Sequence, residues 1–254
     1  MLTIEWNYSE WAKSHHWVDG GEEWSSAWGG SEAQWFGSLY PRLHRLLPAG
    51  TILEIAPGYG RWTKFLIAQC NEYIGIDLSP NCIEACQRRF ASVPHARFFS
   101  NDGRSLDNVP EDGVDFIFSF DSLVHAEIDV FASYVPAILR KLTAFGAAFL
   151  HHSNMAALGS AANVHSRSTS VSGNRIAEIV NASSGKVLMQ EYITWGGDVL
   201  NDCLTLFGKA DAYSDVSPTV LTNKRFMDEA TLISQYQGAY SQLEIQRGRD
   251  PGLV

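Results

Sequence analysis

Four residues that could accept or donate a proton lie at the ends of two apolar segments of the chain. Asp121 and His125 come after one segment, and His151 and His152 end the other. Histidine accepts a proton near neutral pH, and an aspartate can orient a histidine or hold a substrate. A hydroxyl group that attacks as a nucleophile needs such a base, because its proton must be accepted as the new bond forms. These four residues are therefore the catalytic candidates.

The roles of the candidates leave alternatives open. His151 and His152 point to opposite faces if their strand persists, so at most one of them should reach a given substrate atom. We favour His152 as the base, and His125 also fits a scaffold role. Alternatively, Asp121 together with His151 or His152 would bind a divalent metal ion that acidifies the acceptor hydroxyl. The ligand spacing matches no metal motif, so a site without a metal is favoured.

A second group of residues, nearer the N-terminus, suits a cofactor that contains a ribose. Gly58 and Gly60 fall in a turn between a predicted strand and a predicted helix, where the lack of a side chain lets a ligand approach the backbone. Asp77 ends the next predicted strand, the position at which a doubly wound fold places an acid on a ribose. Pro57 removes a backbone donor that a dinucleotide pyrophosphate would use. The pattern therefore fits NAD poorly.

Alternating strand and helix patterns position both groups. Strands are predicted at 51–56, 73–77, 97–99, 114–120 and 147–151, and helices at 62–70, 81–90 and 130–142. This alternation predicts an α/β fold with a Rossmann-like, doubly wound, mostly parallel sheet covered on both faces. The late segments 186–195 and 203–209 predict an antiparallel C-terminal hairpin at the edge of the sheet, and 225–240 predicts a closing helix.

Three regions differ in composition. Six of the eight tryptophans fall in the first 35 residues, so residues 1–47 are predicted to form a tryptophan-rich helical cap or lid. Residues 48–210 are predicted to form the cofactor-binding core, and 211–254 a C-terminal helix and tail. The polar residues 155–185 are predicted to include a substrate loop that orders on binding.

The overall composition is that of a folded globular protein. Apolar residues make up 45% of the 254 residues and charged residues 19%. The formal net charge is −9 and there is no basic run, which argues against nucleic acid as a partner. No apolar run approaches the length of about 20 residues that spans a bilayer, so a cytoplasmic protein is expected. Cys82 and Cys86 would lie one helical turn apart, too far for a disulfide, so free thiols are expected. The composition is compatible with a homo-oligomer.

The glycine turn and the acids together resemble the class I methyltransferases that use S-adenosylmethionine (SAM). Residues 54–60 resemble their glycine-rich first motif, Asp77 their ribose acid and Asp102 their adenine-side acid. Residues 115–120 resemble their fourth strand, and 123–125 the Leu-x-His that often follows it. The resemblance implies SAM as the cofactor and a seven-stranded sheet whose last strand is antiparallel.

This resemblance covers residues 45–155 and names a set of cofactor-binding residues. Ala56 stands in place of the usual first glycine, which leaves the local backbone less free. The residues expected to bind SAM are Glu54, Ala56, Pro57, Gly58, Gly60, Arg61, Asp77, Leu78, Asn101, Asp102, Gly103 and Phe120.

A longer set of segments is similar to bacterial methyltransferases of sugar and surface-glycan biosynthesis. These segments are 28–32, 60–63, 121–125 and 151–154. The similarity implies transfer of a methyl group to a hydroxyl of a sugar or glycan precursor, with tryptophan faces supporting the sugar ring. Two alternatives remain open. One is methylation of a small aromatic or amine metabolite, and the other is a catalytically silent protein that binds SAM.

Overall fold

The strands that carry the site lie in one sheet. The computed structural model describes residues 2–159 and 165–237. The strands are β1 (Ala49–Ile55), β2 (Cys70–Asp77), β3 (Ala96–Ser100), β4 (Val114–Ser119), β5 (Leu142–Ser153), β6 (Gly185–Ile193), β7 (Asp202–Lys209) and β8 (Thr219–Asn223). Across the described residues they lie in the order β3-β2-β1-β4-β5-β7-β6-β8. Neighbouring strands are parallel, except that β7 is antiparallel to β5 and β6.

Helices connect and cover these strands. The α-helices are α1 (Ile4–Ser9), α2 (Ser31–Gln34), α3 (Tyr40–Leu43), α4 (Thr63–Leu66), α5 (Pro80–Arg89), α6 (Ile128–Lys141), α7 (Gly173–Ala182) and α8 (Glu229–Thr231). Turns of 3₁₀ or π type occupy Glu10–Ser14, Glu22–Trp28, Trp35–Leu39, Ile67–Gln69, Leu123–His125, Met155–Ala157, Ala210–Tyr213, Phe226–Asp228 and Leu232–Gln237. In the described part of the chain, no helix is long and apolar enough to cross a membrane.

The central strands are buried on both faces. In β1, Ile52 belongs to the apolar cluster that includes residues of α3 and α5, whereas Leu53 belongs to the cluster with α6 and α7. The same alternation places Phe116 and Ile117 of β4 in opposite clusters. Successive side chains of a strand point to opposite faces, so helices must cover both sides. Burial of each such side chain stabilises the fold by about 1.5–3 kcal/mol.

The order of the strands determines where a ligand can bind. The chain runs outward in one direction through β1, β2 and β3 and in the other through β4 and β5, so the direction reverses between β1 and β4. A crevice forms at such a point, beyond the carboxyl ends of the parallel strands. Because β7 is antiparallel, it begins at the edge where β5 ends, and Asp202 lies opposite Ser153.

The structure confirms the predicted α/β fold, with a mostly parallel, doubly wound sheet and an antiparallel C-terminal hairpin. The predicted position of the hairpin at the edge of the sheet is wrong, and so is the seven-strand count. Within the described residues, β8 is an eighth strand that pairs with β6 and forms the edge. Its residues are mostly exposed, so no buried apolar face signals this strand in the sequence.

The predicted helix over 225–240 is present in the described residues as an unbroken helical run over 226–237, but it is not a single α-helix. Three short segments make up this run, a 3₁₀ turn, α8 and a π turn. Residues 238–240 lie outside the described residues. The same holds for 160–164, which belong to the predicted substrate loop.

The tryptophan-rich N-terminal segment, residues 2–28, lies across the carboxyl ends of the strands. The Asn7 side chain donates a hydrogen bond to the carbonyl oxygen of His125, with an Nδ2 to O distance of 3.1 Å. On the other side, Asn81 of α5 donates to the carbonyl of Ala12 at 2.8 Å. The segment, called the lid below, is thus attached on both sides of the crevice.

Candidate active site

A cavity of about 730 Å³ lies between the lid and the carboxyl ends of the central strands. Its walls come from the turn after β1, the ends of β2 and β3, the loop after β4, residues 165–167, Trp195 and Met227. This volume falls in the range of about 300–1,000 Å³ that is typical of small-molecule sites. The cavity is therefore the candidate active site.

The glycine turn after β1 is kept open by its backbone conformation. Ala56, Gly58 and Gly60 all have positive φ angles, of 59°, 58° and 86°. A Cβ atom on Gly60 would lie 2.5 Å from the ring of Phe90 in the chain after α5, so glycine lets this part of the core pack on the turn. Ala56 adopts a left-handed conformation that costs a residue with a side chain about 1–2 kcal/mol.

Asp77 places a buried carboxyl group at the end of β2, on the cavity wall. It accepts hydrogen bonds from the backbone N–H groups of Gly58 at 3.0 Å and Ser79 at 2.8 Å. Burial raises the pKa of Asp77 to about 6, although these two hydrogen bonds oppose the rise. The carboxyl group thus connects the glycine turn to the start of α5.

The loop after β3 contributes two of its three predicted residues to the cavity. Asn101 and Gly103 line it. Asp102 is exposed, and its carboxylate accepts hydrogen bonds at 2.8 and 2.7 Å from backbone N–H groups of its own loop. The predicted adenine-side acid is therefore turned away from the cavity wall.

Glu54 lies behind the glycine turn rather than in the cavity. Its carboxyl group is buried and accepts hydrogen bonds from the Thr63 hydroxyl at 2.7 Å and the Tyr73 hydroxyl at 2.5 Å. Burial raises the pKa of Glu54 to about 7. Glu54 therefore stabilises the glycine turn from the side that faces away from the cavity.

Most of the predicted cofactor residues come together around one cavity. Those that line it are Ala56, Pro57, Gly58, Arg61, Asp77, Leu78, Asn101, Gly103 and Phe120. Glu54, Gly60 and Asp102 do not line it. Of the catalytic candidates, Asp121 and His125 line the cavity, whereas His151 and His152 do not.

Two arginines and two aspartates form a buried group at the end of β4. Arg61 Nη2 lies 2.9 Å from Asp121 Oδ2, and Arg167 Nη2 lies 3.8 Å from Asp121 Oδ1. Arg167 Nη2 also lies 2.9 Å from Asp202 Oδ2. With His151, these residues are called the charged cluster below. Its positive and negative side chains alternate, so each carboxylate has a guanidinium beside it.

His151 joins the two aspartates of the charged cluster. Its Nδ1 accepts a hydrogen bond from the backbone N–H of Asp121 at 3.1 Å, so Nε2 carries the proton and donates to Asp202 Oδ2 at 3.0 Å. Burial alone would raise the pKa of Asp202, but Arg167 and His151 lower it to about 2. Asp202 is therefore ionised at neutral pH, and His151 has both ring nitrogens engaged.

His152 points to the other face of β5. Its Nε2 lies 2.8 Å from the Thr205 hydroxyl, and its Nδ1 lies 2.9 Å from the carbonyl oxygen of Ser153. The ring packs against Phe131 of α6, and burial lowers its pKa to about 4. The structure does not support the preference for His152 as the base, because both nitrogens are used inside the core.

His125 is the candidate histidine on the cavity wall. Its Nδ1 lies 2.8 Å from the carbonyl oxygen of Ser166, which can only accept, so the proton is on Nδ1 and Nε2 keeps its lone pair. Burial and the nearby Arg167 lower the pKa of His125 to about 4. The Trp11 ring lies over it at 5.1 Å. His125 is therefore a neutral hydrogen-bond acceptor at physiological pH.

Aromatic side chains form the upper wall of the cavity. Trp17 of the lid stacks on Tyr59, with ring centroids 4.7 Å apart and an angle of 10° between the planes. Trp28 of the lid meets Trp195, which follows β6, at 4.9 Å. Large flat apolar faces therefore lie beside the polar side chains of the charged cluster.

Three residues of this site were missed by the sequence predictions: Arg167, Asp202 and Trp195. Asp202 carries a weak signal, because it is a charged residue at the start of an apolar segment. Arg167 carries none, since it lies in a polar stretch. Among the described residues, no group of three or more histidine, cysteine or acidic side chains is placed to hold a metal ion.

The central part of the chain matches a methyltransferase domain. Residues 52–146 match the family model described as a methyltransferase domain. This match covers the glycine turn, Asp77 and β4, so it confirms the methyltransferase part of the resemblance and SAM as the cofactor. No curated protein sequence matches the chain significantly.

Solved structures share this fold at low sequence identity. A SAM-dependent methyltransferase from Leishmania major has a TM-score of 0.60 at 15% identity, covering 80% of this chain and 82% of that one. One from Clostridium acetobutylicum has a TM-score of 0.56 at 14% identity, with 80% and 96% covered. The DhpI–SAH complex has a TM-score of 0.53 at 17% identity, with 81% and 94% covered. These likenesses concern the fold.

Proposed function

We propose that this protein transfers the methyl group of SAM to a hydroxyl group of a small, ring-shaped acceptor such as a sugar. The observation that carries the proposal is His125, a neutral histidine with a free lone pair on the wall of the cavity that also contains the glycine turn and Asp77. Cofactor and base would thus share one enclosed space. Enclosure by the lid favours a small molecule or the end of a glycan over a folded protein.

The cofactor would lie along the glycine turn and the ends of β2 and β3. Asp77 suits the ribose hydroxyls, because an ionised carboxylate accepts their hydrogen bonds. Leu78, Asn101 and Gly103 would surround the adenine. Gly58 lines the cavity, and its lack of a side chain lets the Trp17 ring of the lid pack on the turn.

His125 suits the proton transfer that accompanies methylation of oxygen. SAM supplies a methyl group bound to a positively charged sulfur. As the acceptor oxygen bonds to that methyl group, the sulfur–carbon bond breaks and its electron pair stays on sulfur. The oxygen then gains positive charge and its proton becomes strongly acidic, so even a base with a pKa of about 4 accepts it. In this account the proton goes to Nε2.

The surroundings of His125 suit a ring that carries hydroxyl groups. Trp28 and Trp195 offer flat apolar faces, on which a ring can stack. Asp121 and His125 offer hydrogen-bond acceptors on the same wall. A few convergent polar groups in a mainly apolar cavity are typical of sites that orient a small molecule.

A panel of acceptors tests this proposal. Methyl glycosides, phenols and aromatic amines are each incubated with SAM, and S-adenosylhomocysteine (SAH) and the mass of the product are measured. We expect methylated glycosides. Methylation of amines alone would favour the alternative of an amine metabolite, and SAM binding without transfer to any acceptor would favour a silent SAM-binding protein.

A substitution tests the role of His125. We expect His125→Gln to lower kcat/KM by about 100-fold or more, the lower limit for loss of a general base, and to leave SAH affinity within a few-fold. His44→Gln is the matched control, because His44 is exposed, lies outside the cavity and bonds through its side chain to the nearby Pro41 carbonyl. Retention of most activity by His125→Gln would refute the role of His125.

A further inference from the structure

We propose that Asp121 determines acceptor specificity by restricting the acceptor to molecules without a negative charge. The inference rests on the proposed function, since it concerns the acceptor side of the same cavity. Its basis is the arrangement of charge around Asp121. Among the described residues that line the cavity, the arginines are Arg61 and Arg167, and no lysine is present.

Asp121 lies between these two arginines. One carboxylate oxygen is 2.9 Å from Arg61 Nη2, and the other is 3.8 Å from Arg167 Nη2. All three side chains are at least nine-tenths buried. A guanidinium in such surroundings attracts carboxylate or phosphate groups strongly and in a defined geometry. Asp121 already satisfies this attraction, so an anionic acceptor meets a negative group where it would otherwise bind.

Arg167 has a second carboxylate. Asp202 accepts hydrogen bonds from its Nε and Nη2, the shortest of them 2.9 Å. Arg167 and His151 lower the pKa of Asp202 to about 2, so this carboxylate is ionised at neutral pH. Among the described residues of the charged cluster, the charges of the two arginines and the two aspartates therefore balance.

The backbone of Asp121 is built to hold its carboxylate in this place. The residue has a φ angle of 61°, which is unusual for any residue except glycine, asparagine and aspartate. Its N–H donates to His151 Nδ1 at 3.1 Å, and His151 is held in turn by Asp202. Strained backbone of this kind persists where surrounding structure fixes it, often at functional sites.

The lid adds negative charge to the cavity. Glu10 and Glu23 also line it. Glu23 lies 3.3 Å from His15 and accepts a hydrogen bond from the backbone of Gly21 at 2.8 Å. These carboxylates repel an anionic acceptor on its way to His125, so both walls disfavour negative charge.

Asp121→Asn removes the charge while keeping the shape. Asparagine adopts positive φ about as readily as aspartate, and the backbone N–H to His151 is retained. The variant should therefore fold and leave the Arg61 guanidinium without its carboxylate partner, while Arg167 keeps Asp202. Asp129→Asn is the matched control, because Asp129 forms an exposed ion pair with Arg104 outside the cavity.

Binding of paired probes to the SAH complex tests the inference by titration calorimetry. The pairs are methyl β-glucoside with methyl β-glucuronide, and phenol with 4-hydroxybenzoate, so that each neutral probe has an anionic counterpart. Wild type and the control should bind the neutral probe of a pair more tightly. In Asp121→Asn, affinity for the anionic probe should rise roughly tenfold or more, as expected for a charge-assisted hydrogen bond. Adding Arg61→Met, which removes the guanidinium 2.9 Å from residue 121, should remove most of that gain.

Two binding results would overturn the inference. One is wild-type affinity for the anionic probes equal to or above that for the neutral probes. The other is a ratio of neutral-probe to anionic-probe affinity that is the same in Asp121→Asn as in wild type. This includes the case in which neither protein distinguishes the probes. Calorimetry needs no methyl transfer. If Asp121→Asn gains affinity for the anionic probes but the wild type methylates no acceptor, the inference is supported and the proposed function is refuted. Equal methylation of glucoside and glucuronide would refute this inference and support the proposed function.

Discussion

The charged cluster and the lid bound the same cavity but are held in place differently. The cluster consists of buried ion pairs at strand ends, and its histidine and aspartates are connected by hydrogen bonds of 3.0 to 3.1 Å. The lid is held by stacked rings, by hydrogen bonds such as those of Asn7 and Asn81, and by the part-exposed ion pair of Glu22 with Lys64. The cluster therefore fixes chemical groups in space, whereas the lid covers them.

This difference indicates how each region should respond to substitution. Removing a partner from a buried ion pair leaves an uncompensated charge, which destabilises the whole fold. Removing one ring of the lid leaves the sheet intact but weakens the binding of a ligand in the cavity beneath it. Stability should thus depend mainly on the cluster, and ligand retention mainly on the lid.

Asp202→Ala should have the largest effect, because it leaves Arg167 and His151 without their buried carboxylate. We expect a loss of about 3–5 kcal/mol in the free energy of unfolding, measured with a chemical denaturant. Asp129→Ala is the control at an exposed pair, where about 1 kcal/mol or less is expected. Similar losses in the two variants would show that the cluster is no more important to stability than the surface.

The second-largest expected effect is the pH dependence of cofactor binding, which tests the role of the Asp77 carboxylate. The ionised carboxylate accepts hydrogen bonds from a ribose, and its pKa in the folded protein is raised to about 6. SAH affinity should therefore be constant well above pH 6 and fall by about tenfold per pH unit well below it. Calorimetry at several pH values measures this. Asp77→Asn should bind weakly without that dependence, and a wild-type affinity constant down to pH 4 would contradict the role of Asp77.

Trp17→Ala should have the smallest effect and should separate the lid from the cluster. The stacked Trp17–Tyr59 pair and its contact with Gly58 would be lost. We expect the Kd for SAH to rise roughly threefold to tenfold, as for one aromatic pair, with less loss of stability than in Asp202→Ala. The neighbouring Val18→Ala is the control, because Val18 is 87% exposed. A loss of stability equal to that of Asp202→Ala would mean that the lid is part of the core.

Much of the sheet could be predicted because its central strands are buried on both faces. Continuous apolar runs such as those of β1 and β4 are strong signals for parallel strands between helices. The exposed strand β8 lacks such a run, since Val220 is 62% and Leu221 43% exposed. It forms by pairing with β6, and this pairing is a tertiary effect that no local pattern records.

The site could be predicted where it is local in sequence. Gly58 and Asp77 line the cavity because each directly follows or ends a strand that was itself predictable. The partners of Asp121 could not be predicted, because Asp202 reaches the site only through the pairing of β7 with β5. The opposite directions of His151 and His152 follow from strand geometry, but which of them faces the cavity side depends on the packing of α6 against one face.

The pH profile of kcat at saturating SAM, with a hydroxyl acceptor, tests the central claim most directly. Saturation removes the effect of Asp77 on cofactor binding, so the profile reports the base. With the pKa of His125 lowered to about 4, activity should be constant between about pH 6 and pH 8 and fall only as the pH approaches 4. A fall centred near pH 6.5, the ordinary value for histidine, would contradict the assignment of a buried, neutral His125 as the proton acceptor.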